Sequence, residues 1–451
     1  MPANLPDNWT QMTPEQKRQH RLNKTLDTTG MKFPTPEAEK TFKTRAQRMV
    51  DVYNVREPDR VPVNLPVGNL PLRMAGINTY TAMNDLDKVN EATRKFNEKY
   101  GAELEYTAMP FFMVQGRVLE LLDYKLYDWP GHGRVKDSTS WQFIEGEYMK
   151  VEEYDDLIRD PSDFWIRTYL PRAFGILEPM RLFQPFTNIT ENVHVMQFMP
   201  LAMPQVQEML QRMLEVGKEF QKTMQTMMRG MTGTTMGGGG MGGITFAKAP
   251  FDTLGDTLRG TTGIMKDMFR CPDKLLKALD VVADLQINTI LKSSNIDNMT
   301  LVTYPLHKGA DGWMSQKSFD TFYWPSLKKV MDALINEGLI QSMFAEGSFN
   351  TRLEYIDKFA KGSVVWYFDR TDMFKAKQIL GKKYCLQGNV PTSMLVTGDP
   401  KGVKEYCHKL IREVGKGGGF ILSAGAMADN PKLENLQAMM AAVREYGYYK
   451  K

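Results

Sequence analysis

From residue 244 to the end, the chain repeats one pattern: a short apolar run, then a stretch with helical spacing. The apolar runs are ITFA (244–247), LVTYP (301–305), SMFA (342–345), VVWYF (364–368), YCLQ (384–387) and FILSA (420–424). Helical spacing fits 272–292, 316–337, 350–360, 371–380, 400–415 and 432–447. Strands that alternate with helices over short connections build a parallel sheet with helical crossovers. This many repeats without a linker predict an α/β fold of the closed (β/α)8 kind, a TIM barrel. No Gly-rich dinucleotide fingerprint follows the first strand, which speaks against an open Rossmann sheet.

The amino-terminal half reads less regularly. Residues 1–55 form a polar N-terminal extension, and the barrel with its insertions occupies 56–451. DRVPVNLPVG (59–68) is the expected first strand, with Val61, Val63 and Leu65 alternating. A helix is expected from Leu86 to Tyr100, capped by Asp85 and stopped at Gly101. Ala102 to Met109 is a second strand candidate, and 117–155 reads as short strands and turns. Met209, Met213, Val216 and Phe220 fall at three- and four-residue steps, so Pro204 to Met228 is a long amphipathic helix. The chain holds 32 methionines, many of them between Met196 and Met241. They suit adaptable core packing, or a pliable apolar pocket for a flat ligand. The Gly-rich run 230–243 has no G-K-[S/T] and no G-x-G-x-x-G between strand and helix. It is expected to be a mobile loop over the active site rather than a phosphate cradle.

Composition narrows the class of protein. Hydrophobic residues at 42% and charged residues at 24% describe a globular chain with a sizeable core. Lys and Arg number 57 against 53 Asp and Glu, and a net charge of +4 without a basic block argues against nucleic acid. No apolar run reaches the roughly 18 residues of a membrane span, so no membrane partner is expected. The polar start lacks an apolar signal core, and the three cysteines (Cys271, Cys385, Cys407) form no C-x-x-C pair. A reducing, cytoplasmic location is the expectation.

A barrel enzyme assembles its site from the loops at the carboxyl ends of its strands. The polar residues that follow the predicted strands are therefore the candidates: His307 and Lys308, Glu346, Asp369 and Arg370, and Asn389. Glu346 and His307 suit proton transfer, with Asp369 beside them, while Arg370 and Asn389 suit substrate binding. Each has a plainer alternative. Asp369-Arg370 is equally a local ion pair capping a helix, and Asn389, after a glycine, reads as a turn residue. No H-x-x-x-H, H-x-C or C-x-x-C spacing is present, and no G-x-S-x-G.

Four ordered segments resemble the uroporphyrinogen decarboxylase-like superfamily. TFAKAPFDTLGDTLRG (245–260) is similar to its G-F-A-G-A-P-W/F-T-L segment, and MSQKSFDTFYWPSLKKVMDAL (314–334) to its L-S-P-x-x-F-x-x-F-x-x-P-x-x-K segment. YCLQGNVPTSMLVTGDP (384–400) resembles its L-Q-G-N-L/V-x-P stretch, and FILSAGAMADNPKLENLQAMMAAVREYG (420–447) its closing strand and helix. The resemblance runs from about Arg56 to Tyr449 and implies a (β/α)8 barrel.

The family implies two activities: decarboxylation of uroporphyrinogen without a cofactor, and methyl transfer to or from a corrinoid protein, often with a zinc-bound thiol. The decarboxylase pattern departs here. Its R-Q-A-G-R segment has no counterpart in NLPVGNLPLRMAG, its aspartate falls near Tyr106, and its closing histidine falls at about Ala424. The zinc pattern departs too, because its ligand positions align with Phe344, Glu346 and Ala426. The resemblance adds Phe344, Tyr106 and Asp252 as substrate-binding candidates. It points to a methyltransferase acting with a separate corrinoid (cobalamin) protein on a small or apolar substrate, with no metal ligands and zinc not expected. No D-x-H-x-x-G motif is present to hold the corrinoid on this chain. The alternatives are a cofactor-independent decarboxylase acting on another acid, and a non-catalytic ligand-binding barrel. Barrels of this family often pair, so a homodimer is a further expectation.

Overall fold

The computed structural model describes residues 5–33, 35–109, 115–133, 135–185, 191–231, 243–297 and 299–449. Seven strands form one curled, wholly parallel sheet. They are β1 (Val63–Asn64), β2 (Gly243–Phe246), β3 (Met299–Leu306), β4 (Ile340–Ala345), β5 (Val364–Phe368), β6 (Cys385–Val390) and β7 (Phe420–Ala424). The spatial order is β1-β7-β6-β5-β4-β3-β2, so each carboxy-terminal strand lies beside its sequence neighbour. The fold is that of a TIM-like barrel, and the strand–helix alternation from residue 243 onward is as the sequence predicts except between β4 and β5. Of the Gly-rich run, Gly230 lies in the last turn of a helix and Gly243 begins β2, while 232–242 lie outside the described residues.

Two helices within the first 55 residues pack against the sheet. Helix α1 (Pro14–Leu26) begins on a full capping box between Thr13 and Gln16. Helix α2 (Pro36–Tyr53) follows, with Thr35 as its N-cap. Leu22 of α1, with Val50, Val52 and Tyr53 of α2, packs on the lowest inward layer of the sheet: Leu301, Ile340, Val365, Cys385 and Ile421. Arg21 donates from its guanidinium to the carbonyls of Met299 (2.8 Å) and Glu337 (3.0 Å), just where β3 and β4 begin. A barrel's amino-terminal opening exposes apolar side chains and unpaired carbonyls, and these two helices cover both.

Three local expectations are corrected. Helix α3 (Leu86–Leu104) starts at Asp85 as predicted but runs through Gly101, and it ends where Glu105 turns left-handed. Residues 102–104 are therefore helical, and no strand forms over 102–109 among the described residues. The segment 117–155 mixes a helix (Gly116–Leu122) with a small hairpin of Tyr127–Asp128 against Gln142–Phe143. Residues 350–360 form turns, not a helix. Thr351 and Asn350 bond through their side chains to Asp311 and Ser348, and such local bonds compete with the helical ladder.

Helix α4 (Pro204–Met231) is present as expected. It buries Val206, Met209, Thr223 and Thr226, while Met213, Met224 and Met228 stand in water. Those three methionines serve neither a core nor an enclosed pocket. No helix among the described residues is long and apolar enough to cross a membrane.

Candidate active site at the carboxyl rim of the barrel

Because the strands are parallel, every residue that follows a strand emerges at one rim. β2 exits into Lys248 and a short helical run beginning at Pro250, which carries Asp252 and Asp256. β3 exits into His307 and Lys308, β4 into Glu346, and β5 into Asp369 and Arg370. Asp252 fixes the first of these exits to the second. Its Oδ2 accepts the His307 amide (2.9 Å) and the Tyr323 hydroxyl (2.7 Å), and its Oδ1 accepts the Lys308 amide (2.9 Å). Burial, and next the charge of Asp256, raise the Asp252 carboxyl despite these donors. Burial also keeps the Tyr323 proton in place, so the hydroxyl remains the donor.

Asp256 gathers three cationic groups. Its Oδ2 lies 2.6 Å from Nδ1 of His307 and 2.8 Å from Nζ of Lys248, and Nζ of Lys308 meets its Oδ1. Burial opposes ionisation here, but the bonds to His307, Lys248 and Lys308 outweigh it and hold the carboxyl well below the usual range. The same hydrogen bond is the main cause of a raised pKa at His307, with burial opposing it and the two aspartate charges adding to it. Lys308 reaches Asp256 over Gly255, where a Cβ would stand 2.7 Å from Lys308 Cε, so a side chain there would displace the lysine. The second imidazole nitrogen, Nε2, faces Glu346 at 3.7 Å. The Glu346 side chain is 52% exposed, which leaves this edge of the pair open to a ligand.

The remaining candidates divide. Oδ2 of Asp369 accepts the Gly347 amide (3.0 Å), which binds the β5 exit to the loop that carries Glu346. Arg370 Nε lies 3.6 Å from the same oxygen, with the side chain 82% exposed. Phe344 sits below Glu346 on β4, its ring 4.7 Å from that of Tyr367. These residues share the rim with His307. Asn389 does not present its side chain to a ligand. Its amide nitrogen donates to the carbonyls of Asp369 (3.1 Å) and Thr371 (2.7 Å), and its oxygen accepts from Tyr406 (3.4 Å). Both N–H groups are used, so the residue ties β6 to the β5 exit. Asp252 is likewise fully enclosed and positions the rim rather than touching solvent. Tyr106 lies apart from the rim. It lines an interior cavity of about 330 Å3 with Thr303, Ser342 and Gln387, closed below by Met49 and Tyr53 of α2.

Sequence reasoning missed Asp256, Lys248 and Tyr323. The signal available for the first was its place four residues after Asp252, directly beyond a strand. Among the described residues no three His, Cys, Asp or Glu side chains are grouped to hold a metal ion. Cys385 is in the lowest barrel layer and Cys407 is buried on the helix Pro400–Glu413.

Residues 197–446, which carry every rim residue named above, match the uroporphyrinogen decarboxylase (URO-D) family. The chain belongs to that family. Its curated relatives include the uroporphyrinogen decarboxylase of Actinobacillus succinogenes, 25% identical over 224 residues, or 46% of this chain and 58% of the relative. That of Mannheimia succiniciproducens is 23% identical over the same shares. The URO-D match thus spans less than two thirds of these relatives' own length. Among solved structures, a methyltransferase from Methanosarcina mazei superposes with a TM-score of 0.53 at 15% identity, over 89% of this chain and 98% of that one. At that identity the likeness is one of fold. This URO-D family chain therefore has the barrel of a family of enzymes, with a rim built around His307 and Asp256.

Proposed function

We infer that this chain is a methyltransferase that works with a separate corrinoid protein and moves a methyl group between a small or apolar substrate and cobalt. One observation carries the reading: His307 is tied to Asp256 through Nδ1 and turns Nε2 toward Glu346 at an open rim. An imidazole whose pKa is raised by a fixed carboxylate holds its proton to higher pH than a free one. Nε2–H can then be donated to the oxygen or nitrogen that loses a methyl group, while Nδ1–H stays with Asp256. Glu346, half in water, restores the proton to Nε2 from solvent. Phe344 and Tyr367 supply an apolar floor, and Arg370 and Lys248 orient a polar end of the substrate.

The corrinoid, held by its own protein, supplies the cobalt that takes or gives the methyl group. Two exposed apolar side chains at the carboxyl ends of strands fit the broad face of such a ring: Phe246, the last residue of β2, 74% exposed, and Met427, beyond β7, 70% exposed. A zinc-bound thiol has no part in the proposal, because the rim residues named offer carboxylates and one imidazole rather than thiolates.

A second reading has its own support. The curated relatives are uroporphyrinogen decarboxylases, and Lys248 and Arg370 are cations that a carboxylate substrate would meet. In that case the carboxylate leaves as carbon dioxide and the His307 proton passes to the carbon left behind. The deciding experiment mixes the protein with reduced corrinoid protein and candidate methyl donors and follows the cobalt absorption spectrum. A donor-dependent change is the expected result. No change with any donor, joined to carbon dioxide release from an acid without the partner, assigns the lyase. Tight ligand binding without turnover, indifferent to Glu346→Gln, assigns a binding protein.

A further inference from the structure

The interior of the barrel changes character one step above its lowest layer. Leu301, Ile340, Val365, Cys385 and Ile421 make that lowest layer apolar. Side chains two residues further along a strand point the same way, and at those positions stand Thr303, Ser342, Tyr367, Gln387 and Ser423. Each carries a hydroxyl or an amide, where barrel interiors are ordinarily filled by Val, Ile and Leu. The layer leaves space unfilled, because the cavity of about 330 Å3 lies against it. That volume falls within the about 300–1,000 Å3 of small-molecule pockets. Gln387 is only 8% exposed. Among the described residues its side-chain amide has no hydrogen-bond partner, and neither do the hydroxyls of Thr303 and Ser342. Buried polar side chains are ordinarily paired, so three unpaired on one cavity call for a guest.

The cavity opens sideways rather than at the rim. β1 and β2 are the two edges of the described sheet, and Asn64 and Ile244, one from each, line the cavity. Asn64 is exposed although it lies on a strand. Among the described residues, neither Phe344 nor any member of the His307–Asp256 cluster lines it. Arg45, Arg48 and Arg60 stand along this side. Glu105 accepts from Arg60 and Arg444, and Asp59 accepts from Arg48. Four guanidiniums against two carboxylates leave the entry positive, which favours an anion. Met49 and Tyr53 offer apolar contact from below. The Tyr367 hydroxyl, pushed up to about 12 chiefly by burial, is a neutral donor.

We propose that this cavity is a second ligand site, entered between β1 and β2, that takes a small monocarboxylic acid. The carboxylate lies against the arginines, an apolar body lies over Met49 and Tyr53, and a hydroxyl or carbonyl end meets Gln387, Ser342 and Thr303. The proposal is independent of the reaction assigned to the rim. It is tested on the full chain with hexanoate, benzoate and para-hydroxybenzoate as probes. Binding is followed by isothermal titration calorimetry and by NMR of isotope-labelled methionine methyl groups, since Met49 and Met440 line the cavity. The expected result is a dissociation constant below about 1 mM for para-hydroxybenzoate, with shifts of the Met49 and Met440 signals, assigned through Met49→Leu and Met440→Leu. Neutral para-hydroxybenzamide should bind at least about tenfold more weakly. Benzoate should bind about fivefold more weakly than its para-hydroxy derivative, and that difference should vanish in Gln387→Met, which keeps the volume and removes the amide. Retained benzoate binding shows that Q387M is folded, and His307→Gln should leave all three affinities unchanged. Binding of none of the three acids overturns the proposal and leaves the cavity to water. So does equal affinity for acid and amide. Binding that is lost in H307Q and unchanged in Q387M would give the acid to the rim and would equally overturn it.

Discussion

Nδ1 of His307 lies 2.6 Å from the carboxylate of Asp256, and the two residues come from different strand exits, 51 positions apart in sequence. This pair decides where the proton of the imidazole resides. Nδ1 is the bonded nitrogen, so Nε2 is the one that can exchange a proton with a ligand.

Asp256→Asn should therefore move the titration of His307. The pKa is raised above 6.5 chiefly by the bond to Asp256, so the substitution lowers it. An NMR titration of the His307 ring should show a lower midpoint in D256N than in wild type, and the alkaline limb of the pH–rate profile should shift the same way. An unchanged midpoint would mean that Asp256 does not charge the imidazole.

The same pair contributes stability over a definite pH window. His307 has a raised pKa in the folded state, so its contribution is complete below about 6.5 and is lost as pH rises through the folded value. Asp256 has a depressed pKa, so its contribution is present above about 3.8 and is lost as pH falls through the folded value. The difference in unfolding temperature between wild type and D256N should be largest between these limits, near pH 4–6, and should shrink toward pH 9. Thermal melts in a pH series check this.

His307→Gln and Glu346→Gln should lower single-turnover rates if the two residues move the proton at the rim. A positioned general acid is worth about 10²–10⁴ in rate, and the loss should be larger for His307, which holds the proton. Folded-state circular dichroism should be unchanged in both, since Glu346 is half exposed and His307 is fixed through its backbone amide rather than its ring alone. Equal activity of H307Q and wild type would remove the proton relay from the mechanism.

Asp252→Asn should be costly without touching a ligand. The carboxylate accepts three hydrogen bonds, and an amide can accept on only one side. At least one buried donor is left facing an NH2 group, at a cost of about 1–3 kcal/mol. Urea unfolding should show that loss. The alkaline limb of activity should also move to lower pH, because the charge of Asp252 helps to raise the His307 pKa.

Leu22→Ala tests whether the first 55 residues are part of the barrel. Leu22 is completely buried against the lowest barrel layer. Its truncation should destabilise the whole chain by about 2–5 kcal/mol, seen as a single shifted unfolding transition. A separate early transition, with the barrel midpoint unchanged, would show that α1 and α2 fold apart from it.

The strand–helix order from Gly243 onward was legible in the sequence because both periodicities are local: apolar runs of four or five residues and amphipathic stretches between them. The rim positions of His307, Glu346 and Asp369 followed from that order, since parallel strands bring all their carboxyl ends to one side. The tertiary structure alone decided the rest. It set Asp256 and Lys248 against His307, enclosed Asp252, spent the Asn389 amide on backbone carbonyls, and moved Tyr106 down to the interior cavity. It also turned a polar extension into the cover of the barrel floor. Each of these depends on which way a side chain points across a gap of tens of residues, and no local spacing carries that information.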